Sequence, residues 1–253
     1  MQWEKHGLTW APFHILGEER EGHWLVICDH ATNRVPEAIA GGNLGIATED
    51  MSRHIAYDPG AAGVAVRLAE HLNAPAVLSN FSRLVIDPNR CEDDPTLVMK
   101  LYDGTIIPAN RHVDAAETER RLNLCYWPYH AAVKRVAARQ PGTAIVSIHS
   151  FTPQFRGRPP RPWHVAMLFA DDERLSRPLI ERLRAEPQLV VGANVPYSGR
   201  LKGDTIDRHA IAAGRQNTLI EIRNDLIADD AGQTAWADRL ARVLPEALAA
   251  AEA

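Results

Sequence analysis

Short, β-branched apolar runs recur along the chain, each stopped by a polar residue, proline or glycine. They are HWLVICDH (23–30), APAVLSN (74–80), RLVIDP (83–88), TAIVSIHS (143–150), WHVAMLF (163–169), QLVVGA (188–193) and NTLIEIR (217–223). Runs of this length and make-up suit strands buried on both faces. Helical patterns lie between them. Residues 61–72 put Val64, Leu68 and Leu72 on one face, and Asp172 is placed to cap a helix through 173–186. From about Gln233 onward, Trp236, Leu240, Val243, Leu244 and Leu248 share a face. Strands interleaved with helices predict an α/β fold, a three-layer α/β/α arrangement around a mostly parallel, mixed sheet. The stretch 90–128 is less regular. It reads as loops draped over the sheet edge plus a helix beginning near Asp114, and closure of this stretch as a lid is left open.

No repeat, low-complexity tract or Gly/Ser linker divides the 253 residues, so a single domain over 1–253 is expected. A chain this long buries a sizeable core without disulfide staples. Lys plus Arg number 28 against 32 Asp plus Glu, a net charge of −4 that lacks the basic excess of a nucleic-acid binder. No apolar run approaches the roughly 20 residues of a membrane span. The N-terminal MQWEKHGLTW lacks the pattern of a secretory signal. Cys28, Cys91 and Cys125 form no C-x-x-C pair and read as reduced thiols of a cytoplasmic protein.

Open α/β sheets bind ligands at the carboxyl ends of their strands, so the polar residues that stop each run matter most. The first run stops at Cys28-Asp29-His30 and the fourth at Ile148-His149-Ser150. Two strand-end imidazoles far apart in sequence suit metal coordination, since neutral imidazole is the commonest ligand and a catalytic zinc takes three protein ligands. For the third ligand, Asp58 stands just before the 61–72 helix and is either a ligand or that helix's cap. Asn33, three residues past His30, is the alternative, although a neutral amide is a poor zinc ligand. His54 is a further candidate with a plainer structural reading. His and Asp donors also suit other divalent ions.

Alternation in the last run puts Glu221 and Arg223 on the same face. An acid among Leu and Ile is costly to ionise unless paired or used. Glu221 is therefore either the partner of Arg223 or a general base whose pKa burial raises. Arg83, Asp87, Asn89 and Arg90 form a dense polar cluster. It is either solvated surface or an anion-reading site, because the guanidinium fork matches a carboxylate. The loop Gly203-Asp204-Thr205-Ile206-Asp207-Arg208-His209 either supplies Arg208 or His209 to a substrate or is only a loop.

The segments CDHATNRVPE, RHIAYDPGAAGVA, SRLVIDPNR, PY with DTIDRHA, and LIEIRNDLI together resemble the N-formylglutamate amidohydrolase family. The likeness is collinear over about residues 20–230. It implies kinship with the zinc carboxypeptidase and aspartoacylase group, with an α/β/α core around a mixed eight-stranded sheet. It also implies His30 and His149 as zinc ligands, Glu221 as general base, and Asn89 with Arg90 as substrate-binding residues. Arg83, Arg223 and His209 complete the substrate-binding candidates. That wider group carries a zinc-binding Glu three residues after its first His, where this chain has Asn33. The second ligand therefore stays open between Asp58 and Asn33, with Asp58 preferred. The implied reaction is hydrolysis of N-formyl-L-glutamate to glutamate and formate, a step of histidine degradation. Its rivals are a zinc deacylase or amidase for another N-acyl amino acid or small peptide, and a catalytically silent metal-bound sensor of an acidic metabolite. The expected partner is a small-molecule N-acyl amino acid, with neither nucleic acid nor membrane, and with a homo-oligomer left open.

Overall fold

The computed structural model describes residues 10–252. Apart from Trp10, the N-terminal segment read for a secretory signal lies outside the described residues. Nine strands are present there: β1 (Phe13–Leu16), β2 (Trp24–Cys28), β3 (Ala76–Ser79), β4 (Leu101–Tyr102), β5 (Thr105–Ile106), β6 (Ala144–Phe151), β7 (Val165–Leu168), β8 (Val191–Ala193) and β9 (Asn217–Arg223). The α-helices are α1 (Thr48–Met51), α2 (Ala61–His71), α3 (Ala115–Arg121), α4 (Trp127–Ala137), α5 (Ser176–Arg184), α6 (Thr205–His209) and α7 (Asp230–Glu252). Seven strands form one sheet in the order β1-β3-β2-β6-β9-β7-β8, and β4 and β5 pair separately. Among the described residues the main sheet thus has seven strands, not the eight that the family likeness implied. Its centre, β3-β2-β6-β9, is parallel. β1 and β7 run antiparallel to β3 and β9, and β8 is parallel to β7.

Side-chain alternation explains the layers. Val26, Cys28, Val146, Ile148, Ile220 and Ile222 point to one side and pack with apolar residues of α2, α5 and α7. Leu25, Ile27, Ile145 and Leu219 point to the other and pack with Tyr129 and Val133 of α4 and with Ile206 of α6. A strand period of two sends successive side chains to opposite faces, so covering both faces with helices gives the three expected layers. The C-terminal helix buries Trp236, Leu240, Val243 and Leu244, as its spacing predicts. Asp114 caps α3 by accepting from the Glu117 amide at 2.9 Å. No helix of the described residues is long and apolar enough to cross a membrane.

Three local expectations change. Residues 83–88 form turns rather than a strand, although Leu84, Val85 and Ile86 are fully buried. Their backbone is satisfied without a ladder: Ser82 Oγ accepts from the Leu84 amide, Ser82 O from the Val85 amide, and Leu97 O from the Asp87 amide. A buried apolar run needs partners for its amides, not necessarily a strand. Asp172 does not cap α5, which starts at Ser176; its carboxylate takes Arg174 and Asn217 instead. The edge strand β1, FHIL, is only four residues long and has no counterpart among the predicted runs.

Candidate active site

The topology gathers the polar strand ends. β2, β6 and β9 are adjacent and parallel, so the residues ending β2 and those near the end of β6 and β9 meet at one edge. His149 pairs in register with Glu221. Ser147, His149 and Glu221 alternate with the apolar residues packed on α2 and α7, and so face the α4 and α6 side. Asp58 arrives on a loop whose amide donates to His30 O at 2.9 Å. It is not the cap of α2: Gly60 holds that position with φ 81°, and a Cβ there would lie 2.2 Å from Ile227 O. Only glycine fits such a left-handed, close approach, which leaves the Asp58 carboxylate free to turn inward.

Asp58 Oδ2 lies 3.3 Å from His30 Nδ1 and 2.9 Å from His149 Nδ1, with the two rings nearly perpendicular at 4.9 Å. All three residues are buried, and their ligand atoms lie within 4.8 Å of one another. The far nitrogen of each ring is held by a further acid: His149 Nε2 by Asp29 at 3.0 Å and His30 Nε2 by Asp87 at 2.7 Å. Metal-ligating histidines are characteristically held this way, since a carboxylate on one nitrogen fixes the tautomer that presents the other.

These acids are anchored in turn. Asp29 also accepts from Tyr129 OH and Thr205 Oγ1 at 2.8 Å each and from Ser147 Oγ at 3.2 Å. Asp87 takes Arg83 Nη2 at 2.7 Å and the Asn89 amide at 2.9 Å. Burial disfavours the charge on Asp29, but the hydrogen bond and charge of His149 prevail and bring its pKa down to about 2. For Asp87, likewise, the Arg83 guanidinium overcomes burial and holds the carboxyl well below its usual range. Asp58 is also lowered against burial, by the charge of His30 and the bond from His149. Burial opposes a charge on His149, yet Asp29 and Asp58 raise its pKa well above the ordinary value. Asp29, Asp58 and Asp87 set three buried negative charges against one buried guanidinium, Arg83. With both imidazoles neutral, as ligands to a metal must be, the excess is two, and with two imidazole nitrogens and a carboxylate oxygen converging the set fits a divalent cation held by His30, Asp58 and His149.

A cavity of about 260 Å³ opens at this cluster, lined also by Arg83, Asn89, Arg90 and Glu221. Glu221 Oε2 is buried without a hydrogen-bond partner among the described residues. Burial first, then the charge of Asp58, push its pKa up to about 7. The alternative pairing with Arg223 is not made, because that guanidinium lies on Asp225 at 2.8 and 3.2 Å. Arg223 and His209 stand outside the cavity lining. His209 stacks on His130 with Nε2 2.8 Å from its Nδ1, and His130 Nε2 in turn meets Pro88 O, bracing the Asn89–Arg90 turn. Asn33 is also apart from the cluster, donating to Met51 O at 2.8 Å. His54 lines the cavity without joining the cluster, 3.6 Å from Asp103.

The two cavity arginines differ. Arg83 is committed to Asp87 and lies 3.5 Å from Asp58. Arg90 hydrogen-bonds only neutral groups among the described residues, Asn89 O at 2.8 Å and Thr96 Oγ1 at 3.1 Å, and though its charge also acts on Asp87, its guanidinium makes no ion pair among them and is open to an anionic ligand. Sequence reasoning missed the roles of Asp29 and Asp87, and missed Tyr102, Tyr197 and Asp204 in the lining. The alternation that sets Asp29 on the same side as Leu25 and Ile27 was the available signal for the first. Asp204 caps α6 through the Asp207 amide at 2.7 Å, and burial pushes its pKa up to about 7. Glu221, an acid of raised proton affinity with one unpartnered oxygen beside a metal-type donor set, suits a hydrolytic site.

The sequence profile of the N-formylglutamate amidohydrolase family matches residues 22–228. A gene product of Agrobacterium tumefaciens with a solved crystal structure is 33% identical, with a TM-score of 0.89 and coverage of 96% of each chain. The N-formylglutamate amidohydrolase from Ralstonia eutropha JMP134 shares the fold, with a TM-score of 0.71 at 23% identity, over 94% of this chain and 99% of that one. Comparison with curated proteins finds no match.

Proposed function

Because this chain belongs to the N-formylglutamate amidohydrolase family and is thus a hydrolase of linear amides, we propose that it hydrolyses N-acyl amino acids in a metal-dependent reaction, with N-formyl-L-glutamate as the preferred substrate. The observation that carries this reading is the Glu221 carboxylate, one oxygen of which has no hydrogen-bond partner among the described residues, lining one cavity with the His30, Asp58 and His149 cluster. Zinc, or another divalent ion held by those three residues, would supply Lewis acidity and make water acidic enough to act at neutral pH. The protein's own groups do the rest. Asp29 and Asp87 keep both rings in the tautomer that offers Nδ1. Glu221, ionised, takes a proton from the attacking water and returns it to the leaving nitrogen. Arg90, with Asn89, receives a substrate carboxylate as a charge-assisted pair. Release of glutamate and formate in the cytoplasm, as a step of histidine degradation, belongs to the same proposal.

One assay tests it: turnover of formylglutamate, acetylglutamate and acetylaspartate, with and without chelator, by protein purified without a metal-affinity tag. The expected result is fastest turnover of formylglutamate, abolished by chelator and restored by zinc. Preference for an acetylated substrate would move the assignment to a deacylase. Bound metal with no turnover would favour the sensor, and chelator-resistant hydrolysis would overturn the metal dependence.

A further inference from the structure

The loop between β8 and α6 brings Tyr197 into the lining of the cavity that Arg90 also lines. It is a braced loop. Asn194 Oδ1 accepts from the Phe169 and Gly199 amides at 3.0 Å each, tying 194–199 to the end of β7. A Cβ on Gly199 would lie 2.2 Å from Phe169 N, so the two backbones are in close contact. Arg161 fixes the phenol itself. Its guanidinium lies 4.1 Å from the Phe155 ring centre, 5.1 Å from that of Tyr197 and 5.7 Å from that of Phe151, two residues past His149 on β6. Arg161 Nη1 donates to Thr152 O at 3.1 Å and to the Tyr197 hydroxyl oxygen at 3.2 Å. With its oxygen already accepting from a cation, the phenol keeps its own hydrogen to give, and no acceptor for that hydrogen is found among the described residues.

We propose that the Tyr197 hydroxyl is a catalytic donor to the oxygen of the scissile carbonyl, with Arg161 as its positioning residue; this rests on the reading of the cavity as the site of amide hydrolysis. Addition of the water oxygen to the carbonyl carbon breaks the C=O π bond and moves its electron pair onto that oxygen, where Tyr197 hydrogen-bonds it without giving up the proton. Collapse restores C=O and breaks C–N, and the proton held by Glu221 goes to nitrogen. A donor fixed before charge develops acts without reorganisation. Burial, then the charges of Glu221 and Tyr102, push the phenol pKa above its ordinary value, so the hydroxyl stays protonated and able to donate at neutral pH.

Tyr197→Phe keeps the ring over Arg161 and removes only the hydroxyl. The expected result is a fall in kcat on the order of 10²-fold, with KM, metal content and Tm close to the parent. Arg161→Gln should lower kcat by about tenfold in the parent and by nothing further in the Tyr197→Phe background. A Tyr197→Phe enzyme with kcat within about threefold of the parent, a loss confined to KM, or losses that multiply in the double variant would overturn the proposal. The series is run on whichever of formylglutamate, acetylglutamate and acetylaspartate the parent turns over best. A failure of formylglutamate alone then counts against the substrate assignment and leaves the Tyr197 comparison decisive, whereas a parent that turns over none overturns both.

Discussion

Asp29, directly after β2, and Glu221, on β9, are buried acids of the two strands that flank β6, on the same side of the sheet, yet they end in opposite states. On the β2 flank, Asp29 gathers four donors and its pKa falls to about 2. On the β9 flank, Glu221 leaves one oxygen unpartnered and its pKa rises to about 7. Burial alone penalises both charges; what differs is how many hydrogen bonds compensate it. A fully satisfied acid is a permanent anion that holds His149 in place. An unsatisfied one keeps the ability to gain and lose a proton at neutral pH. On the proposed mechanism the cluster would separate the work of holding from the work of proton transfer, strand by strand.

The largest expected effect comes from removing the residue between the flanks. His149→Ala should lose metal and turnover together, with elemental analysis and kinetics on the same preparation; full metal occupancy would take His149 out of the ligand set. Asp29→Asn attacks the holding flank alone. It should weaken metal affinity by about 10–100-fold while turnover at saturating metal stays near the parent, as metal titration would read. Arg90→Ala leaves both flanks intact. It should raise KM for an acidic acyl-amino acid at least about tenfold, the loss of a charged hydrogen bond, and that for a neutral analogue much less. The smallest effect is a pH dependence of metal-free stability with opposite signs on the two flanks. The Asp29 contribution is present above the ordinary carboxylate value and lost as pH falls through about 2. Glu221 binds its proton more tightly when folded, so its contribution is present below its ordinary value and lost as pH rises through about 7. Denaturant titrations of the metal-free chain should show Asp29→Asn flattening the acid side and Glu221→Gln the neutral side.

Much of this site was legible because strand ends are. His30, His149 and Glu221 stand at the end of apolar runs, and a parallel α/β order brings such ends to one edge. Asp58 was legible as a candidate only, since its separation from the α2 cap depends on Gly60 and its contact with Ile227. The anchoring acids were not. Asp87 reaches His30 across 57 positions through a turn that looks like a strand in sequence, and no local pattern encodes that pairing. Arg223 and His209 lie outside the cavity lining for a related reason: a face shared in a strand, or a polar loop beside one, does not say which neighbour takes the side chain. Asp225 takes the first and His130 the second.

Glu221→Gln tests the division between the flanks most directly, because it keeps size and shape and removes only the titratable proton. Metal content and turnover are measured on one folded preparation. The account predicts parental metal content with a loss of turnover on the order of a hundredfold or more, the scale of general acid–base catalysis. Parental metal content with turnover within about threefold of the parent, a barrier change of only some 0.7 kcal/mol, would contradict it.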